Sequence, residues 1–387
     1  MPNLHVSEKR CSVKRKLLVV WPGYDPGKES VFKVILDNFD SKIVFVGTKL
    51  KEFTTTKMNL GSLGPYASNG RLSFLNYRGV RVLDHSPRSL FSLGRDLYLL
   101  LKKEPWHFVL FSTNNPISTK IGFVLCRMIG IRLGVKVEDW FNEHFGNPFL
   151  RFYHYIGKLV LRHADYCFPH GEGARRYCLN LRAKSDQVLI FPLAIPGYYV
   201  DPAAYHKKIA KLVYCGRLTD EKNVPLLLRA FNLIHRECPT VNLVIAGSGP
   251  MLLQIEDYVA SHGLEDRVLF QGPYRRDQLP DILTPDSALI LPSKKEGWGM
   301  VVNEAASLGR PVIVSDAAAV VYDLVHEGKN GFVFRSNDVD SLVDAIRRLF
   351  NSSPDDIITM QRHSRKLFDC YNDFSRVKSV LETALNS

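Results

Sequence analysis

Short apolar runs alternate with longer amphipathic ones along this chain, and the alternation is run through twice. In the first half, residues 17–21, 42–46, 107–111 and 131–137 read as strands, and 30–39, 89–102, 117–129 and 149–163 as helices. The stretch 53–78, rich in Gly, Ser, Thr and Asn, reads as irregular. Residues 191–210, with Pro192, Pro196, Gly197 and Pro202, read as an interdomain linker. The pattern then restarts more regularly. Strands are expected at 212–215, 241–246, 268–270, 287–291, 311–315 and 331–334, and helices at 224–236, 251–261, 301–308 and 338–350. Two further helices, 354–370 and 373–385, close the chain. Strand–helix alternation with short loops needs a parallel sheet covered on both faces. The fold class expected is therefore α/β, with two Rossmann-like domains facing a cleft. Open parallel sheets take ligands at the carboxyl ends of their strands. The expected partition is residues 1–200, residues 201–365, and a final helix at 366–387 packing back on the first domain. A length of 387 residues suits two domains, and 45% hydrophobic residues suffice for packed cores.

Charge divides along the same line. The formal net charge is +12. Residues 1–200 hold 29 Lys+Arg against 15 Asp+Glu, and residues 201–387 hold 22 against 24. An evenly basic nucleic-acid binder would not be built this way, and no nucleic-acid partner is expected. The first half is suited to an anionic surface or ligand, the second is not.

Residues 1–16 are polar and basic and do not read as a signal peptide. The most apolar stretch, 117–137, is interrupted by Lys120, Arg127, Arg132 and Lys136, too charged to span a bilayer. The seven cysteines are dispersed, with no C-x-x-C pair and no zinc spacing. Buried, reduced thiols of a cytoplasmic protein are the expectation.

Three windows carry chemistry. Gly216-Arg217-Leu218-Thr219-Asp220-Glu221-Lys222 follows the first strand of the second half. Its two cations, on a loop opening into a helix, could clamp a diphosphate, or could pair with Asp220 and Glu221 as a solvated loop. Gly247-Ser248-Gly249-Pro250 follows the next strand. Its glycines either admit a ligand to the backbone or make a tight turn. Ser293 to Glu304, S-K-K-E-G-W-G-M-V-V-N-E, places Glu296 in a loop and Glu304 on the apolar surface of a helix with Val301, Val302, Ala305 and Ala306. A carboxylate there needs partners, which sugar hydroxyls would supply. The alternative is a glutamate favoured by the helix dipole.

Taken together, the order G-R-L-x-x-E-K, A-G-S-G-P, L-P-S-x-x-E-G-W-G-M-V-V-N-E-A, G-x-P-V-I-x-S-D and G-x-N-G, over residues 212–350, resembles the retaining glycosyltransferases of family 4. The resemblance implies the two-domain GT-B fold, with closing helices that cross back to the first domain. It implies that Arg217 and Lys222 hold the donor diphosphate, with Gly216, Gly247 and Gly249 lining the donor. Glu304 would bind the ribose. Glu296 and the backbone of Gly297, Trp298, Gly299, Met300 and Val301 would face the donor sugar and its phosphate. Gly272 falls where the family contacts the base. The first half is less similar. Trp21-Pro22-Gly23-Tyr24-Asp25-Pro26-Gly27 stands where members carry paired glycines, and Gly23 would let the donor approach. Val137-Glu138-Asp139-Trp140 lacks the family's histidine, so Asp139 or Glu138 would take its place. His144 and His170 are substitutes that read more simply as structural residues.

The expected reaction is retaining transfer of a hexosyl group from a UDP- or GDP-linked sugar, with no cofactor and no metal, because two cations stabilise the leaving diphosphate. The acceptor expected is a lipid-linked glycan of bacterial polysaccharide assembly, met at the inner face of the cytoplasmic membrane. The basic, aromatic segment 149–162 suits that surface, or is an ordinary packing helix with a basic outer face. Two other classes share these features: a nucleotide-sugar epimerase or hydrolase of the same fold, and a non-catalytic nucleotide-sugar-binding subunit.

Overall fold

The computed structural model describes residues 15–22, 28–47, 61–76, 87–112, 116–138, 148–201 and 205–387. Gly23, Asp139 and His144 lie outside the described residues. The chain divides into two compact units. The first takes the described residues of Met1–Lys136, Phe152–Cys167 and Val377–Ser387; the second those of Val137–Arg151 and Phe168–Arg376.

The first unit is built on β1 (Lys16–Pro22), α1 (Glu29–Asn38), β2 (Asp40–Gly47), α2 (Gly64–Ser68), β3 (Leu72–Asn76), α3 (Pro87–Lys103), β4 (Phe108–Ser112), α4 (Pro116–Ile129), β5 (Arg132–Val137), α5 (Pro148–His163) and β6 (Tyr166–Pro169). Its sheet runs β3-β2-β1-β4-β5-β6, with parallel ladders β2–β3, β1–β2, β1–β4 and β4–β5. The strands are apolar on both faces because helices cover both. Trp21, Phe32 and Phe45 stack edge to face at 5.3 Å across β1, α1 and β2. Strand β3 falls inside the stretch read as irregular. It is a short edge strand following the Asn69-Gly70 turn, with too few apolar residues to stand out from its polar flanks. Strand β6, four residues long, is not preceded by Gly or Asn turn residues and likewise does not stand out in the sequence.

The second unit begins with α6 (Glu172–Asn180) and an irregular stretch, and then builds β7 (Lys211–Cys215), α7 (Val224–Ile234), β8 (Asn242–Ala246), α8 (Leu252–Ser261), β9 (Val268–Gly272), α9 (Leu279–Ile282), β10 (Ser287–Leu291), α10 (Met300–Ser307), β11 (Val312–Ser315), α11 (Val321–Leu324), β12 (Gly331–Phe334), α12 (Val339–Phe350) and α13 (Pro354–Tyr371). Its sheet runs β12-β11-β10-β7-β8-β9, parallel throughout. Side chains of a strand alternate between faces. Leu212, Tyr214, Leu243 and Ile245 accordingly enter the core with α7, α8 and α12. Val213, Cys215, Val244, Leu289 and Leu291 enter the opposite core with α9 and α10. The order of connection reverses between β7 and β10, which opens the crevice where sheets of this kind take a ligand.

The last helix, α14 (Phe374–Asn386), returns to the first unit from Val377 onward. There Arg132 donates to Leu385 O (3.1 Å) and Ser387 Oγ (2.9 Å), and Tyr166 OH donates to Ser387 Oγ (2.7 Å). Of the described cysteines, Cys126, Cys167, Cys178 and Cys215 are buried thiols, while Cys238 is half-buried and Cys370 exposed.

Candidate active site in the second unit

The switch between β7 and β10 brings two of the three sequence windows together. After β7 the chain makes a 3-10 turn over Asp220–Lys222 and enters α7 through Asn223, which holds a left-handed φ of 55°. Asparagine tolerates that conformation better than most residues. The loop after β10 is tied to this turn, since Lys294 N donates to Glu221 O at 2.8 Å and Lys294 Nζ to Asp220 Oδ1 at 2.6 Å.

Within this frame Lys222 Nζ donates to Glu296 Oε2 in a short ion pair, and Ser293 Oγ donates to the same oxygen at 3.3 Å. Both ionic side chains are largely shielded, at 17% and 13% exposed. Arg217 is exposed, and Tyr214 OH donates to its carbonyl at 2.6 Å. The loop thus offers one shielded and one exposed cation, with a carboxylate between the strands' ends.

Glycines 247 and 249 are explained by packing. A Cβ on Gly247 would lie 1.8 Å from Gly216 O, and one on Gly249 2.4 Å from Leu218 O. Gly216 N donates to Ala246 O (2.9 Å), Leu218 N to Ser248 O (2.9 Å) and Met251 N to Leu218 O (3.0 Å). The loops after β7 and β8 therefore lie backbone against backbone, and Gly247 N bonds onward to Gly272 O at 2.8 Å.

The loop after β10 ends at Gly299, whose φ of 106° turns the chain into α10. A side chain here would be strained and would also press on Leu291 Cδ2 at 2.9 Å. The first turn of α10 presents the positive end of the helix dipole, which suits an anionic group. Trp298 faces inward, 4% exposed. Its Nε1 donates to Asn303 Oδ1 at 2.7 Å; its ring stacks on Tyr371 (5.1 Å) and meets His170 edge-on (4.8 Å). Tyr371 OH donates to His170 O and accepts from Leu193 N at 3.2 Å. His170, fully buried, sets Nδ1 2.9 Å from Val137 O and Nε2 3.2 Å from Gly297 O. Within the second unit it acts as a strut between Val137 and the loop that carries Gly297.

Glu304 lies one turn into α10 with its side chain 16% exposed. Burial pushes its carboxyl above the usual range, and the Arg276 guanidinium pulls it back. Arg276 Nε lies 3.1 Å from Glu304 Oε1. Nearby, Asp323 accepts from Glu172 N at 3.0 Å at the start of α6, and burial raises its carboxyl to about 6.

Of the residues expected at a site, Lys222 and Glu296 are in contact, and Gly297 to Val301 form the loop and first turn beside them. Glu304 is engaged by Arg276. Gly272, with φ of 70°, ends β9 next to the Gly247 loop. Sequence reasoning gave no role to Ser293, Arg276, Asn303 or Tyr371. Ser293 sits within a quoted motif, whereas Arg276 and Tyr371 reach the site from segments with no local signature.

A surface depression of about 990 Å³ in the first unit, lined by Arg15, Asp37, Asp40, Arg71 and Glu382, opens at the start of β2 rather than at the strands' carboxyl ends.

Comparison with known proteins agrees with the geometry. The chain is 29% identical over 140 residues to the alpha-D-kanosaminyltransferase of Streptomyces kanamyceticus, covering 36% of each protein. It is 32% identical over 140 residues to the phosphatidylinositol N-acetylglucosaminyltransferase gpi3 subunit of Schizosaccharomyces pombe, covering 36% of this chain and 31% of that one. The matched stretch thus spans about a third of these relatives' own length. Likeness of fold extends over the whole chain. The crystal structure of Anabaena Alr3699/HepE in complex with UDP superposes with a TM-score of 0.70 at 14% identity, covering 96% of this chain and all of that one. The apo lipopolysaccharide outer core galactosyltransferase WaaB superposes with a TM-score of 0.72 at 18% identity, covering 95% and 99%. Both likenesses are of fold, and the fold is GT-B. The family model for glycosyl transferases group 1 matches residues 202–364, the stretch that carries Lys222, Glu296 and Glu304, and over that stretch the chain is similar to the group 1 glycosyltransferases.

Proposed function

We propose that the protein is a retaining hexosyltransferase that moves a sugar from a UDP- or GDP-linked donor to a lipid-linked glycan of bacterial polysaccharide assembly. The observation that carries this reading is the shielded Lys222–Glu296 pair at the switch point, with Arg217 exposed beside it. In the reaction the bond from the anomeric carbon to the donor phosphate oxygen breaks and a bond to the acceptor oxygen forms on the same face. The acceptor's proton passes to the departing phosphate. Negative charge grows on the diphosphate, and Lys222, Arg217 and the first-turn amides of α10 are already in position to meet it. Two cations, the shielded Lys222 and the exposed Arg217, supply that stabilisation without a divalent metal. Glu296, released from Lys222 by the arriving phosphate, accepts hydrogen bonds from sugar hydroxyls, and Glu304 accepts from the ribose. Asp139 or Glu138 would take the place of the family's histidine, and Gly23 would allow the donor's approach.

The membrane part of the reading rests on the first unit. Helices α3, α4 and α5 lie side by side, with Gly94 facing Ile121 and Gly157 facing Lys120. They carry nine Lys+Arg against Asp96 alone. Phe91 and Met128 are about three-quarters exposed, and Leu99, Val124 and Tyr155 more than half. Exposed apolar side chains among cations suit an anionic lipid surface. No helix among the described residues is long and apolar enough to cross a membrane.

The test is thermal stability with nucleoside diphosphates and their sugars, repeated in chelator. A single UDP- or GDP-sugar should raise the midpoint, and turnover of that donor should survive chelation. Absence of any shift across the donor set would overturn the reading.

A further inference from the structure

We propose that Arg276 is a positioning residue of the nucleotide site, forming with Glu304 a two-sided clamp for the vicinal hydroxyls of the ribose. The inference rests on the donor-site reading above, in which Glu304 meets the ribose. A carboxylate only accepts hydrogen bonds and a guanidinium only donates them, whereas each hydroxyl of a diol does both. A site made of one of each therefore matches a diol better than a lone glutamate.

The geometry supplies such a pair. Arg276 is anchored away from Glu304: its Nη2 donates to Pro196 O at 2.7 Å, its guanidinium lies 5.8 Å from the Tyr198 ring centroid, and Tyr198 OH donates to Arg276 O at 2.7 Å. So held, Nε sits 3.1 Å from Glu304 Oε1, close enough for an ion pair. Yet its N–H is buried and, among the described residues, poorly aimed at any acceptor, Glu304 included. A buried, poorly aimed donor beside a partly buried carboxylate is costly in the free protein and is better satisfied by a ligand that bridges the two.

The cation also opposes protonation of the carboxylate. The other titratable groups that act on Glu304 are Tyr198, Tyr274 and the Cys215 thiol, all pushed upward first by burial, the thiol to about 12. They stay neutral near pH 7. Among the described residues Arg276 is the charge that opposes the upward push of burial on Glu304. Without it Glu304 takes up a proton at higher pH and stops accepting from the ribose.

Calorimetric binding of UDP, GDP and their 2′,3′-dideoxy forms to wild type, Arg276→Ala and Arg276→Lys, from pH 5 to 8, tests this. Arg276→Ala should bind the better ribonucleotide about tenfold more weakly at pH 7. Its preference for ribose over dideoxyribose should collapse, and the acid limb of its affinity profile should move toward neutrality. Arg276→Lys restores the charge without the planar fork, so the acid limb should return while the ribose preference stays reduced. A purely structural role would weaken all nucleotides alike at every pH, and that result in a variant that melts like wild type overturns the clamp. A wild type that binds neither UDP nor GDP overturns the donor-site reading, and this inference with it.

Discussion

Lys222 and Glu296 neutralise one another in the free protein, so each is held ready without an uncompensated charge. Lys222→Ala removes the cation that the proposed reaction uses and leaves the shielded Glu296 without its lysine. Turnover should fall by about 100-fold or more, the scale of losing one preorganised charge-stabilising group. Nucleoside diphosphate affinity should fall with it, measured by calorimetry alongside initial rates. The pair was legible from sequence only as two candidates: a basic loop and an E-x7-E element, 74 positions apart. Their meeting depends on β7 and β10 being neighbours, which no local spacing encodes. The same limit hid Arg276, whose neighbours looked like an ordinary charged turn.

Among elements, the strands of the second unit were easy to anticipate because each is an apolar run between turn residues, and the sheet order follows from right-handed crossovers. In the first unit β3 and β6 were not: β3 sits among polar flanks that read as irregular, and β6 lacks the Gly and Asn turn residues that precede β12, an edge strand as short. The loop after β10 depends on a support that sequence did not reveal. Trp298 fills the space between His170, Asn303 and Tyr371. Trp298→Ala should cost about 3–5 kcal/mol, read as a lowered melting temperature, with nucleotide affinity lost as well. Trp298→Phe should retain much of both. Asp323 makes a pH-dependent contribution at the start of α6. Its carboxyl titrates near 6 in the folded chain against an ordinary value of 3.8, so the folded state holds the proton more tightly than the unfolded one. The stability from that proton is fully present below about pH 4 and is lost as pH rises through 6, by up to about 3 kcal/mol. Asp323→Asn should remove this slope, and denaturant melts at pH 4 and pH 7 would measure it.

At the scale of the molecule, the excess charge is concentrated. The helices α3, α4 and α5 account for +8, while the half that carries Lys222 and Glu296 is close to neutral. Fields of this kind steer a protein to anionic surfaces and weaken with salt. Flotation with vesicles containing an anionic phospholipid should carry the protein at low ionic strength, and Phe91→Ser with Met128→Ser should reduce that fraction several-fold. Equal flotation with neutral vesicles, or none with anionic ones at low salt, would count against membrane docking.

The strut of His170, Trp298 and Tyr371 bears on how this protein can be recombined with its relatives. The shared family region is residues 202–364, so it contains Trp298 but neither of the two rings that hold it. A chimera cut at those borders would transplant the loops after β7 and β10 intact and leave the indole against foreign side chains. Borders drawn at 168 and 376, where the long stretch of the second unit begins and ends, keep all three rings together. Of two such hybrids in one recipient, the longer insert should melt higher and bind nucleotide more tightly.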